Sequence, residues 1–333
     1  MAPPASSASD GIEEEIAVDR DGYDSSNATK TVCVMDASGH FASALVRRLL
    51  LRGYTVHAAL HNHGKLQCIE EELINYNEEK KLKVFQADPF DYHSLVNALK
   101  GCSGLFYSFE PPSDHSTYDQ ELTAEVETMA AHNVLEACAQ TNTVDKVVFT
   151  SSLTAVVWNN HRDNPTSHDF DERNWSDVNL CKKFKLWHGL SKTLAEKTAW
   201  ALAMDRGISM VSINGGLVMG PDVTISNPYL KGAAEMYEDG VMASVDLRFY
   251  VDAHICVFED VSSYGRYLCF NHVINCNEDA MKLARMLLPP SDTSTPPLSF
   301  EDTRVHPQRV SNKKLNKLMV NFDGEFQDDC SAD

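Results

Sequence analysis

The sequence predicts a doubly wound α/β fold on one parallel sheet with a smaller C-terminal lobe, and three observations carry that prediction. Short apolar runs alternate with amphipathic stretches along the first two thirds of the chain. The first apolar run leads into a turn of small residues that opens a helix, and the fifth ends in a pair of hydroxyls. Strands that alternate with helices close right-handed βαβ crossovers, which give a parallel sheet covered on both faces.

Element by element, strand and helix patterns alternate over Thr31–Met35, Phe41–Arg52, Thr55–Leu60, Leu66–Tyr76, Leu82–Gln86, Asp91–Lys100, Gly104–Ser108, Tyr118–Gln140 and Lys146–Ser151. Residues 158–181 are polar and read as a long loop, which inside a compact domain is usually functional. A helix over Lys182–Arg206 and a strand over Ile208–Ile213 follow, then a Gly/Pro-rich segment. Beyond it come a helix near Phe249–Glu259, a strand over Gly265–Phe270 and a helix near Glu278–Leu288. Pro289, Pro290, Pro296 and Pro297 mark a linker before a last ordered piece around Lys313–Asp323. The implied division is a dinucleotide-binding region at 30–215 and a substrate lobe with returning elements at 216–322. Acidic tails at 1–29, expected to be disordered, and 323–333 flank them.

The 333 residues are 43% hydrophobic, enough for a sizeable core. Net charge is −19, but residues 1–29 hold seven acids and one base and residues 321–333 five acids and no base. The two ends therefore carry −11 and the remainder −8, which argues against nucleic-acid binding, where phosphate contacts need clustered Lys and Arg. Nine cysteines lack any C-x-x-C spacing and read as reduced core thiols, pointing to a cytoplasmic protein. No apolar run reaches the roughly 20 residues that span a bilayer, so no membrane association is expected.

The first strand–helix turn reads Met35-Asp36-Ala37-Ser38-Gly39-His40-Phe41-Ala42. A dinucleotide loop needs a residue for a tight turn, one that lets backbone approach the pyrophosphate, and a small one for packing, with phosphates at the helix N-terminus. Gly39 and Ala42 meet the second and third demands, and Asp36 occupies the first. Aspartate tolerates positive φ, but its carboxylate there faces phosphate charge. Two like charges about 4 Å apart repel by roughly 4 kcal/mol at an effective dielectric of about 20, a few hundred- to a thousand-fold in affinity. At the end of the second strand an acid would select NAD; His61 and Lys65 stand there instead, which favours NADP(H). The alternative makes His57, His61 and His63 plain surface polar residues. A metal site is not indicated, because no carboxylate or cysteine accompanies them at ligand spacing. The fifth strand ends Thr150-Ser151-Ser152 at the sheet's carboxyl edge, and His188 and Lys192 lie i, i+4 on one helical face.

In order and spacing, further runs extend this pattern: Arg52-Gly53-Tyr54-Thr55-Val56, Ala87-Asp88, Trp175-Ser176-Asp177, Cys181-Lys182, Ser191–Glu196, Asn214 with Gly220-Pro221, Asp252-Ala253-His254, Gly265–Cys269 and Ser311–Leu315. From about residue 31 to 320 the chain resembles the extended short-chain dehydrogenase/reductases, most closely plant cinnamoyl-CoA and dihydroflavonol reductases. The resemblance implies a Rossmann-type fold, NADP(H) as cofactor and a phenolic or acyl-CoA ligand. It also implies a catalytic set in which a Ser bonds the carbonyl, a Tyr donates the proton and a Lys holds the ribose. Ser152 and Lys192 match that set, and His188 stands at the tyrosine. On the cofactor side it implies Asp36, Ser38, Gly39, Ala42, His61, Lys65, Asp88, Phe109 and Lys192. Of these, Asp88 matches the family's adenine-side acid, Asp36 replaces a glycine, His61 an arginine and Phe109 a small residue. Gly215 stands where the family has proline after Asn214. Three readings follow: a reductase of a hydroxycinnamoyl thioester or related phenolic carbonyl, a catalytically impaired relative acting as ligand sensor or protein-interaction module, or an enzyme of changed chemistry in which His188 is a general base.

Overall fold

The computed structural model describes residues 30–37, 39–61, 81–109, 122–159, 169–221, 223–288, 305–320 and 322. The expected helix at Leu66–Tyr76, the proline linker, both tails, Ser38 and Lys65 lie outside them.

The first half runs β1 (Thr31–Met35), α1 (His40–Leu51), β2 (Thr55–Leu60), β3 (Leu82–Gln86), α2 (Tyr92–Leu99), β4 (Gly104–Tyr107), α3 (Leu122–Gln140) and β5 (Lys146–Ser152). It continues with a 3-10 turn (Leu153–Ala155), α4 (Val178–Lys183), α5 (Trp187–Arg206), β6 (Ser209–Gly215), β7 (Leu217–Met219), α6 (Ala233–Glu238) and β8 (Ala243–Asp246). Then come α7 (Leu247–Glu259), β9 (Gly265–Cys269), β10 (His272–Val273), α8 (Asn277–Leu287) and α9 (Lys313–Met319).

Seven strands pair in the order β3-β2-β1-β4-β5-β6-β9, all parallel. Every residue of β4, and all but the first of β1 and β2, is buried, as sheets covered on both faces require. One face packs on α1 and α7 through Leu45, Leu49, Val56, Ile255 and Phe258. The other packs on α2, α3 and α5 through Leu95, Leu135, Phe149 and Ala199. Strand order reverses between β1 and β4, and ligands of open α/β sheets bind at the carboxyl ends beside that switch. A three-stranded sheet, β10-β8-β7, and a third core around Trp158, Tyr229, Met236 and Leu268 form the smaller lobe.

Several expected elements change. The helix expected over Lys182–Arg206 is two helices, because Lys185 takes φ 53° and breaks the ladder after α4. The loop expected to run to residue 181 ends earlier, at Asp177, whose carboxylate caps α4 by accepting from the amides of Asn179 and Leu180 at 2.7 and 3.0 Å. The Gly/Pro-rich segment holds β7, α6 and β8, too short to leave a periodic signal. The helix near Phe249 starts at Leu247, where Asp246 caps it by accepting from the amide of Arg248 at 2.9 Å. His57, which the alternative reading placed on the surface, is buried on β2, and its Nδ1 lies 2.8 Å from the carbonyl of Ala98. Six of the cysteines are buried free thiols, at positions 33, 102, 138, 181, 256 and 269, while Cys276 is partly exposed. Among the described residues no helix is long and apolar enough to cross a membrane.

Candidate active site

Two clusters form at the carboxyl edge of the large sheet. The first is the β1–α1 turn. Asp36 takes φ 56°, the left-handed geometry the turn demands and that aspartate tolerates. The amide of Ala37 donates to Ala59 on β2 at 2.9 Å, which locks the turn to the sheet. Gly39 is the N-cap of α1 with no side-chain cap hydrogen bond, and no acid lies in the first helical turn, so the positive end of the helix dipole faces the turn. Ala42 is buried beneath it. This backbone fits a dinucleotide pyrophosphate. The charge of Asp36 opposes it and reaches the buried phenol of Tyr107 on β4, which burial first, then Glu127 and Asp36, push well up.

At the end of β2, His61 Nδ1 lies 3.7 Å from Asp88 Oδ1, both side chains being well exposed. Asp88 also accepts from the amide of Phe90 at 2.8 Å, and its own amide donates to Ser94 Oγ at 2.9 Å. The structure thus brings together the two adenosine-side candidates. Phe109, just past β4, has its ring buried in the core face with Met35, Tyr107 and Phe149.

The second cluster joins β5, the 3-10 turn and α5. Ser152 is buried and caps the 3-10 turn, its Oγ accepting from the amide of Thr154 at 3.2 Å and from Thr154 Oγ1 at 3.0 Å. Thr154 Oγ1 lies 3.0 Å from His188 Nδ1. The His188 ring is edge-on to Tyr229 at 6.2 Å. Burial, and secondarily the Lys192 ammonium, push the His188 pKa down to about 3, so the imidazole is neutral across physiological pH. A direct proton donor of the imidazolium kind is therefore absent there.

Lys192 Nζ is held at 2.7 Å from Glu127 Oε1 on α3 and donates to the carbonyl of Phe109 at 3.0 Å. Ser191 Oγ donates to the other oxygen of Glu127. Beneath the cluster Glu196 is fully buried and accepts from Ser151 Oγ (2.7 Å), Ser212 Oγ (2.6 Å), Asn214 Nδ2 (2.7 Å) and Arg266 Nε (2.8 Å). Arg266 stacks on Trp175 at 3.6 Å, fastening the segment before α4 to the sheet. Two glycines set the approach. A Cβ at Gly189 would meet Trp158 at 2.8 Å and the carbonyl of Thr154 at 3.1 Å, so α5 packs hard on the 3-10 turn. A Cβ at Gly215 would lie 2.6 Å from Tyr250 Oη, so the ring of Tyr250 fills the space a larger residue would need.

The sequence reading brought together Ser152, His188 and Lys192 but missed Thr154 and Glu127. Thr154 was legible in principle as a third hydroxyl two residues past Ser152; Glu127 carried no signal, since helical acids are usually solvated.

A sequence model described as NAD(P)H-binding matches residues 37–178. Cinnamoyl-CoA reductase 1 of Petunia hybrida is 35% identical over 306 residues, covering 88% of each chain. Dihydroflavonol 4-reductase of Arabidopsis thaliana is 32% identical, over 88% of this chain and 78% of that protein. Among solved structures, vestitone reductase from alfalfa superposes with a TM-score of 0.66 at 26% identity, over 89% of this chain and 93% of that one. A yeast methylglyoxal/isovaleraldehyde reductase complexed with NADPH shares the fold, with a TM-score of 0.65 at 18% identity over 87% and 93%. With its parallel sheet, the glycine N-cap of α1, and Ser152 on β5 and Lys192 on α5 at the positions of the family's motif, the chain belongs to the cinnamoyl-CoA and dihydroflavonol reductase family of NAD(P)H-binding, extended short-chain reductases.

Proposed function

We propose that the chain is an NADP(H)-dependent reductase of a hydroxycinnamoyl thioester or related phenolic carbonyl, slowed by the loss of a phenolic proton donor. The observation that carries this reading is the convergence of Ser152, Thr154, His188 and Lys192 where the carboxyl end of β5 meets the first turns of α5. The names of its relatives, cinnamoyl-CoA and dihydroflavonol reductases, supply the substrate class. When bound, the nicotinamide supplies hydride. Ser152 hydrogen-bonds the carbonyl oxygen, the amides at the N-terminus of α1 hold the pyrophosphate, and His61 with Lys65 takes the 2′-phosphate. Lys192 reaches the ribose only by sharing its ammonium with Glu127. The lobe beyond residue 215 supplies the substrate wall, with Tyr229 beside His188.

A second reading, a catalytically impaired ligand sensor, is favoured by the ion pair that occupies Lys192 and by the neutral His188. The two separate in one experiment: calorimetric titration with NADPH, then turnover of a cinnamoyl thioester. The reductase reading expects measurable binding and slow turnover that is lost in Ser152→Ala. Binding without turnover favours the sensor. No binding at millimolar nucleotide ends the reductase reading.

A further inference from the structure

Thr154 is buried in the 3-10 turn, with Oγ1 equidistant, at 3.0 Å, from Ser152 Oγ and His188 Nδ1. A proton count sets the direction of these contacts. Ser152 Oγ accepts from both the amide and the hydroxyl of Thr154, which fills its two lone pairs and leaves its own hydrogen for another partner. Thr154 Oγ1 has a single hydrogen, committed to Ser152, so toward His188 it accepts. His188 then carries its hydrogen on Nδ1 and presents a lone pair on Nε2. Packing fixes the arrangement: Ser176 Oγ donates to the carbonyl of Thr154 at 2.8 Å, and α5 presses on the turn at Gly189.

The geometry points to Thr154 as a positioning residue that joins His188 to Ser152 in a neutral proton wire, with Ser152 the donor to the substrate oxygen; this rests on the reductase reading above. As hydride from a bound reduced nicotinamide reduces the carbonyl carbon, the nicotinamide is oxidised and the oxygen gains charge. The Ser152 O–H bond breaks as the substrate O–H bond forms. Ser152 takes the hydrogen of Thr154 Oγ1, Thr154 takes the Nδ1 hydrogen of His188, and His188 takes a hydrogen from water at Nε2. One solvent proton is consumed, and each relay residue ends with as many hydrogens as it began, with that of His188 moved from Nδ1 to Nε2. His188 exchanges one tautomer for the other and never becomes a cation. That suits a ring held neutral, in a residue that is itself partly exposed to solvent.

The test uses the full chain with Thr154→Val, which keeps the shape and removes the hydroxyl, and Thr154→Ser, which keeps the hydroxyl. In ¹⁵N-histidine NMR of the protein without nucleotide, the wild type and Thr154→Ser are expected to hold His188 as the Nδ1–H tautomer from pH 5 to 8, and Thr154→Val to lose that bias. With NADPH and a cinnamoyl thioester or aromatic aldehyde, Thr154→Val is expected to lower kcat roughly 10²-fold with KM unchanged, and Thr154→Ser to restore most of it. A curved proton inventory in mixed H₂O and D₂O is expected for the wild type, and a linear one overturns the wire without any variant. A Thr154→Val protein that keeps the wild-type tautomer overturns it as well. If the wild type shows no turnover with either substrate, the reductase reading fails and the tautomer measurement alone decides the coupling. Thr154→Ala replaces Thr154→Val should the latter not fold.

Discussion

Two buried carboxylates, Glu196 and Glu127, each meet a cation in contact with α5, yet they do different things. Glu196 accepts from Ser151, Ser212, Asn214 and Arg266, a closed network inside the sheet edge that holds three elements together. Among the described residues Glu127 accepts from Ser191 and Lys192, and Lys192 is the cation that the family's chemistry assigns to the cofactor. The first pair is scaffold, with every lone pair answered; the second places a structural demand on a residue the proposed reaction also needs. A buried ion pair is weak evidence of net stability, but removing one partner strands the other.

The largest expected effect breaks the scaffold side of that comparison. Glu196→Ala leaves the Arg266 guanidinium buried with the carbonyls of Glu172 and Asn174 but no carboxylate, and is expected to cost roughly 3–5 kcal/mol by urea unfolding. Glu127→Gln keeps an acceptor for Lys192 and is expected to cost clearly less; equal losses would remove the distinction. On the functional side, restoring the family's residues with His188→Tyr and Asp36→Gly together is expected to raise kcat/KM on a cinnamoyl thioester by about 10²-fold or more, since general acid catalysis is worth about 10²–10⁴-fold. An unchanged rate would place the defect at Lys192 instead. Asp36→Gly alone is expected to tighten NADPH binding by about 10²-fold in calorimetry, less than the full repulsion at 4 Å because the turn is partly solvated.

The sheet was legible because it rests on local patterns. Thr31–Met35, Thr55–Leu60 and Leu82–Gln86 appear in the structure with the bounds read from their apolar runs. What escaped depends on contacts distant in sequence or on single dihedrals: Lys185 at φ 53° splits a helix whose composition is continuous, and β10 of two residues exists only through its pairing with β8. In the site, Ser152, His188 and Lys192 were visible as residue types at a known spacing, whereas the capture of Lys192 by Glu127 joins α3 to α5 across 65 residues. Phe109, which stands at a small residue of the family's pattern, has its ring among the buried residues of the core face and its carbonyl 3.0 Å from Lys192 Nζ, a contact that no local pattern announces.

The smallest effect sharpens the comparison through pH. His188 and His254 have pKa values pushed down to about 3 and about 4, in both cases chiefly by burial. His254 is locked into the scaffold between the carbonyl of Tyr250 at 2.7 Å and Thr150 Oγ1 at 3.0 Å, whereas His188 faces the site. A lowered folded-state value means that below about pH 6.5 the unfolded chain binds protons the native state refuses, so stability falls as pH drops toward 4. Each histidine contributes at most about 1.4 kcal/mol per pH unit in that window, and His188, being partly solvated, contributes less. His188→Asn is therefore expected to flatten the pH 7 to 5 dependence of the urea midpoint only slightly. A His188→Asn profile as steep as the wild type's would mean that His188 protonates freely in the native state. The ring would then be available as a cationic acid after all, and the neutral wire through Thr154 would have no need to exist.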